Sequence, residues 1–375
     1  MRKVYLQTHK YTGVTRLEII LIIIVILLSI VTGYSWLTIG EISRPTPSPS
    51  PQVPIYIPKN ITIVDSAGRY VTVPWPLERV VALTTDVAEV MIALKAEDLI
   101  VGVTEYITGK PELSKVANKT LVGTCFKPNI EAIISVNPQV VITYVRWPKP
   151  EVLEEKLEPL GIKVIRLDLY KIESLFSEIK LLGLLLNRTE EAEKIVEFWQ
   201  TPLKLISEYV SGLKPEQKIR VYFEGYKDYH AAGPGSGYDQ DLKIAGGINI
   251  FADSPIPYPK VSPEAVIERN PDVIIKAVST RVFMPYGATD TSPLEEIRNS
   301  ILSRPGWEAI KAVKEGRVYL ISGTLTSGPR AVIGICYIAK WLYPDAFKDL
   351  DPIGLHRQYL EQFLGVEYSG IWVYP

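Results

Sequence analysis

The sequence predicts an α/β protein of two lobes, each a mostly parallel sheet flanked by helices, joined by a long bridging helix and preceded by an N-terminal transmembrane helix. Three observations predict it. A twelve-residue stretch occurs twice, EAIISVNPQVVI at 131–142 and EAVIERNPDVII at 264–275, with the same Glu, Ala, Ile, Asn, Pro, Val and Ile in register. Each copy reads as a short helix opened at its Glu, capped by Asn129 in one and Ser262-Pro263 in the other. Asn-Pro ends the helix, because the residue before Pro is pushed out of the α region, and an apolar β-branched strand buried on both faces follows. One such unit per domain length implies two related lobes, since a solenoid needs a much shorter period. Around the copies, apolar strand runs alternate with helical patterns, the order that builds parallel sheets. Between them, 172–187 and 189–212 show helical periodicity broken at Asn187-Arg188 and Pro202, which predicts a helical bridge.

The totals leave room for this plan. A chain of 375 residues holds two domains of ordinary size. Its 41 Lys and Arg nearly cancel 42 Asp and Glu, which argues against nucleic acid or a strongly acidic substrate as partner. Twenty-one Tyr and seven Trp against three His favour aromatic and hydroxyl recognition over imidazole ligation of a metal. Cys125 and Cys336 form no disulfide framework and no CxxC pair; they read as buried or free thiols, with a bridge left open in an oxidising compartment.

In chain order, residues 1–16 carry Arg2, Lys3, Lys10 and Arg16 and no acid, and 17–39 is an apolar run. At about 1.5 Å per residue that run crosses a ~30 Å hydrocarbon core, and the positive charge before it places the N-terminus in the cytoplasm. The run is longer than a signal-peptide core and no A-x-A-like site follows, so an uncleaved single-pass anchor is expected. Residues 40–58, with six prolines among Ser and Thr, read as an extended stalk. An N-terminal lobe is expected over 59–171, the bridge over 172–213 and a C-terminal lobe over 214–375. The first lobe opens with a hairpin around Ser66–Arg69 residues SAGR and continues with strands at 79–84, 99–104 and 163–168 and a helix at 150–160. The second has strands at 219–225 and 317–322, and helices near 238–245, from Ser292, at 329–341 and at 351–364.

No dinucleotide, P-loop, HExxH or GxSxG signature is present, and no nucleophile, base and orienter assemble. No catalytic residue, cofactor or metal ligand is therefore assigned. Ligands of open α/β sheets bind outside the carboxyl ends of the strands, and that rule selects candidates. They are Thr85 and Asp86, Tyr106, Phe126, Arg146 and Trp147 in the first lobe, and Tyr229, His230, Tyr238, Arg281, Tyr286 and Arg330 in the second. Arginines suit anionic chelates through paired contacts, and Trp147 and the tyrosines suit a flat ligand. His230 stands in the glycine-rich HAAGPGSGYD, which reads either as a flexible loop or as one that lets backbone approach a ligand.

Four blocks give this plan a family resemblance: DSAGRYVTVPWPLERVVAL, VGTCFKPNIEAIISVNPQVVI, AGGINIFADSPIPYPKVSPEAVIERNPDVII and SRPGWEAIKAVKEGRVYLI. In this order they resemble the substrate-binding proteins of ABC importers, in the helical-backbone class III branch serving iron-siderophore, haem and vitamin B12 uptake. The resemblance covers roughly 61–364. It implies a ligand held in a cleft between lobes joined by a long helix, for which 172–187 fits, and a transported metal chelate, Fe(III)-siderophore-like first, with corrinoid and haem open. It also implies an ABC permease dimer and its ATPase as partners. Glu131 and Glu264 match the glutamates that dock each lobe onto permease arginines in relatives. Two other readings stand beside it: a surface enzyme or metal-handling protein on the same scaffold, and an adhesive surface protein. With the anchor, the binding domain is expected outside a cell membrane, and a stalk without a lipid-anchor cysteine suggests an archaeal surface.

Overall fold

A hairpin opens the folded chain. The computed structural model describes residues 59–375; the expected anchor and stalk lie outside them. Asn60–Val64 (β1) pairs antiparallel with Tyr70–Pro74 (β2) around Gly68 at φ 74°. The first lobe then runs through Val80–Ala82 (β3), Thr85–Ala93 (α1), Ile100–Val103 (β4), Thr120–Leu121 (β5), Ile130–Ser135 (α2), Val140–Thr143 (β6), Pro150–Leu157 (α3) and Lys163–Arg166 (β7). Its sheet is parallel throughout in the order β5-β4-β3-β6-β7. Ile172–Leu185 (α4) and Thr189–Ser211 (α5) follow. The second lobe comprises Arg220–Glu224 (β8), Gly237–Ile244 (α6), Ile248–Asn249 (β9), Pro263–Arg269 (α7), Val273–Val278 (β10), Ser292–Leu302 (α8), Lys311–Lys314 (α9), Val318–Ser322 (β11), Ala331–Leu342 (α10), Pro352–Gln358 (α11) and Val373–Tyr374 (β12). This sheet has the order β12-β11-β10-β8-β9, with β12 antiparallel on its edge.

The repeated stretches fold alike down to single hydrogen bonds. Asn129 caps α2 and Ser262 caps α7 through their side chains. The Asn of each Asn-Pro is left-handed, Asn137 at φ 44° and Asn270 at φ 41°, a conformation that short polar Asn tolerates. The helix thus ends by a left-handed cap rather than by the extended residue that the proline rule predicts. An arginine then braces each end: Arg79 donates to the Val136 carbonyl and Arg220 to that of Arg269, the same position in the two copies. Gln139 and Asp272, also equivalent, accept the backbone N–H groups of Arg79 and Arg220. Glu131 and Glu264 consequently occupy the same place in two lobes, each exposed in the first turn of its helix.

The bridge differs in detail from a single long helix. Asn187, at φ 54°, turns the chain between α4 and α5, and the two pack closely where a Cβ on Gly183 would collide with Ala192. α4 stays with the first lobe, where Leu184 and Leu185 carbonyls accept from Trp75 Nε1 and the Leu77 N–H. α5 reaches α6 and α10 of the second lobe. At 23 residues it spans about 34 Å. Pro202 does not break it; the helix carries the proline on its buried side.

Strand residues alternate between cores. Val80, Ala82, Val140 and Ile142 of the first lobe and Val221, Phe223, Val273 and Ile275 of the second join one apolar cluster that also takes in α4, α5 and α10. Their neighbours, Val81 and Val141 or Tyr222 and Ile274, face separate outer cores. The central strands are buried on both sides, as their continuous apolar runs require.

The shared core contains one unusual group. His356 is fully buried with neither ring nitrogen partnered among the described residues, its ring 4.5 Å from that of Trp372 and 5.3 Å from that of Tyr368. Burial, and then nearby Arg330, hold its pKa well below the ordinary imidazole value. The unfolded chain therefore binds this proton more tightly, so the stability His356 allows is present above about pH 6.5 and is lost as pH falls toward its folded pKa. The His356→Phe variant is expected to lose less stability than the native chain between about pH 6.5 and 5, as read from denaturant midpoints at each pH.

Candidate functional site

Each lobe has a switch point where neighbouring strands send their connections in opposite directions, β3 beside β6 in the first and β8 beside β10 in the second. Crevices at such points, outside the carboxyl ends, are the natural ligand sites of these sheets. In the first lobe the switch point is marked by Tyr144 donating to Asp86 Oδ2 at 2.5 Å. In the second it presents Tyr226 after β8 and Ser279 and Thr280 after β10. The two crevices share one cavity of about 170 Å³, lined from the first lobe by Thr85, Asp86, Glu89, Lys110 and Leu113 and from the second by Tyr226, Ser279, Thr280, Gly323, Thr324, Ser327, Pro329 and Arg330.

A tongue of the second lobe, Gly328-Pro329-Arg330, closes the floor. The Gly328 N–H points at the Tyr170 carbonyl, 3.4 Å away across the lobes. One guanidinium nitrogen of Arg330 bridges Glu89 Oε2 at 3.0 Å and Glu112 Oε1 at 3.2 Å. All three side chains are 4 % exposed. Burial works against the guanidinium, but the two carboxylates beside it raise its pKa. Burial pushes the Glu89 and Asp86 carboxyls up, opposed by Arg330 in the first case and by the Tyr144 hydrogen bond in the second. Lys110 is pushed down, first by burial and then by Arg330.

Gly328 is required at the tongue. It has φ 75°, and an added Cβ would lie 2.9 Å from Asp86 Oδ1. Gly328→Ala is expected to cost about 1–3 kcal/mol from the left-handed backbone alone, measured by denaturant unfolding, and to displace Asp86 from Tyr144.

Of the residues the sequence selects, Thr85, Asp86 and Arg330 line the cavity. Phe126 and Trp147 are exposed at the same sheet edge, their rings 5.8 Å apart, with Arg146 exposed beside them and Tyr106 in the turn after β4. Tyr238 stacks on Phe223 at 4.5 Å and stands behind Tyr226. The remaining four lie elsewhere. Tyr229 donates its N–H to Glu224 and covers Arg304 in the outer core. His230 bridges to Lys260, and its Nδ1 is 3.1 Å from the Asp228 carbonyl. Arg281 is exposed, and Tyr286 donates to the Glu367 carbonyl. Glu89 was legible, since it stands three residues after Asp86 on the same face of α1; Lys110, Glu112, Ser279, Thr280 and Thr324 carry no pattern that sets them apart. Both cysteines are buried and free, and burial pushes their thiols up to about 11 and about 12, away from reactivity.

Known proteins share this fold. The model of the periplasmic binding protein family matches residues 80–324. The uncharacterized ABC transporter substrate-binding lipoprotein YvrC of Bacillus subtilis is 26% identical over 295 residues, spanning 77% of this chain and 87% of that one. The vitamin B12-binding protein of Salmonella typhi is 33% identical over 200 residues, 52% of this chain and 71% of that one. Among solved structures, the TroA-like periplasmic binding protein FepB from Veillonella parvula superposes with a TM-score of 0.73 at 26% identity, covering 84% of this chain and 99% of that one.

Proposed function

This chain belongs to the periplasmic binding protein family and is a substrate-binding protein of an ABC transporter; we propose that it is tethered to the outer face of a cell membrane, captures a metal chelate between its lobes and delivers it to the permease. Its relatives are binding proteins, which sets aside the enzyme reading. The observation that carries the proposal is the cavity itself, where two switch-point crevices face each other across a polar floor. Its space, about 170 Å³, is smaller than the roughly 300–1,000 Å³ of pockets that bury a whole drug-sized ligand. A chelate therefore sends only a polar edge to the floor. Exposed rings at the strand ends, Tyr226 at the cavity and Phe126 beside Trp147 in the first lobe, offer faces for the rest of it. An Fe(III)-siderophore-like chelate is the first candidate; the Salmonella relative supports a corrinoid, and haem, a flat ligand, suits the same rings. The anchor rests on the apolar run at 17–39, and the word lipoprotein in the name of the Bacillus relative supports membrane attachment.

Filling the cavity tests this. Thr280→Trp is expected to weaken binding of a ferric tricatecholate or of cyanocobalamin at least 100-fold, about 2.7 kcal/mol, with Tm unchanged. Calorimetry on the full chain reads the affinity. Native-like affinity for the ligand in the filled variant would place the site elsewhere.

A further inference from the structure

The cavity contains two cations in different circumstances. Arg330 is committed at one end, where Glu89 and Glu112 hold one guanidinium nitrogen, and its other terminal nitrogen is buried away from the open cavity with no partner among the described residues. Lys110 is not. Its side chain lines the cavity half-buried, yet among the described residues neither a hydrogen bond nor an ion pair engages its ammonium. Asp86, Glu89 and Glu112 lie within electrostatic reach without touching it. The ammonium opens onto the cavity and is not sealed among buried groups, and the burial around it lowers its pKa by removing part of its water. The rest of the wall supplies hydroxyls, from Thr85, Ser279, Thr280 and Thr324, which donate to an oxygen as readily as they accept.

We propose that Lys110 is the specificity-determining residue of the cleft, its ammonium binding an anionic oxygen of the cargo, so that the cargo presents a carboxylate, phenolate or oxyanion edge to this corner of the floor. The proposal rests on the substrate-binding reading above and narrows its ligand class. An anionic oxygen gives Lys110 a charge-assisted hydrogen bond, stronger than one between neutral groups. Asp86 and Glu89, pushed up by burial, hold protons more readily than ordinary carboxyls and so repel an entering anion less. Arg330 instead acts as a positioning residue that ties the tongue to the first lobe.

Calorimetry on the full chain in detergent decides it, with molybdate as a compact oxyanion, a ferric tricatecholate as an anionic chelate and a ferric trihydroxamate of no net charge as the neutral chelate. The native chain is expected to bind at least one of the two anionic probes. Lys110→Met weakens that binding roughly 10- to 100-fold, leaves Tm unchanged or higher, and weakens any binding of the neutral trihydroxamate far less. Lys110→Arg, which keeps the charge, restores most of the loss. Equal affinity of Lys110→Met and the native chain for the anionic probe overturns the assignment. So does a native chain that takes neither anionic probe; binding of the neutral trihydroxamate in that case leaves the substrate-binding reading standing and removes only Lys110 from it.

Discussion

Replacing Glu131 and Glu264 together by Ala is expected to abolish ATP-driven uptake while leaving ligand affinity within about twofold of native, well under 1 kcal/mol. Both carboxylates are exposed, and each stands in the first turn of a helix held in the same pose by equivalent caps and arginines. Two such charges, one per lobe, match a partner with two-fold symmetry. Charge pairs at a rim set orientation and encounter rate more than raw affinity, so each single variant is expected to slow delivery and the pair to prevent it. A glutamate at this position also stabilises its helix through the macrodipole, by about 0.3–1 kcal/mol each. That contribution shows as a small drop in Tm and leaves transport intact if it is the only role. Transport into vesicles carrying the permease and ATPase, set beside calorimetry on the same preparations, separates the two. Unchanged uptake by the double variant removes the docking role.

Arg330→Met is expected to be the most destabilising single change at the cleft, by about 3–5 kcal/mol, because it leaves two buried carboxylates without their cation. Glu89 and Glu112 are each 4 % exposed and each meets the same guanidinium. Burial already holds the Glu89 carboxyl above its ordinary range, and Arg330 is the charge that most opposes that push; with Arg330 gone it rises further, so stability is retained at low pH and lost as pH rises through its folded value. The deficit should therefore widen from about pH 5 to 8. The triple variant Arg330→Met, Glu89→Gln, Glu112→Gln, which removes the stranded charges, is expected to recover most of it. Denaturant unfolding across that range supplies the measurement. A deficit under about 1 kcal/mol at pH 8 would show that the triad contributes no more than a surface pair.

The two-lobed plan was legible because it is written in long signals. A duplicated helix-turn-strand stretch, apolar β-branched runs and 3.6-residue periodicity survive tertiary context. Shorter pieces did not show: β5, β9 and β12 are two residues each and carry no run of their own. Asn187 was visible as a break, but only packing decides that α4 folds back while α5 spans the lobes. Pro202 looked like a second break, and a long helix with a buried apolar face absorbs one missing hydrogen bond. At the site, the strand-end rule found the right edges and named Thr85, Asp86 and Arg330 among their residues. It could not choose between a tyrosine that faces the cavity, such as Tyr226, and one that covers an arginine in the outer core, such as Tyr229. Residue type misled as well. Aromatic and arginine side chains draw attention, whereas this floor is made largely of serine, threonine, glutamate and one lysine, which occur on every protein surface.

The central claim, that the interlobe cleft holds a transported chelate, is tested most directly by what the protein carries. Native mass spectrometry with visible absorbance, on the full chain purified from the cells that make it, is expected to show one chelate-sized molecule per chain, absent from the Thr280→Trp variant. A protein that carries no such molecule, or carries it equally in the filled variant, contradicts the account.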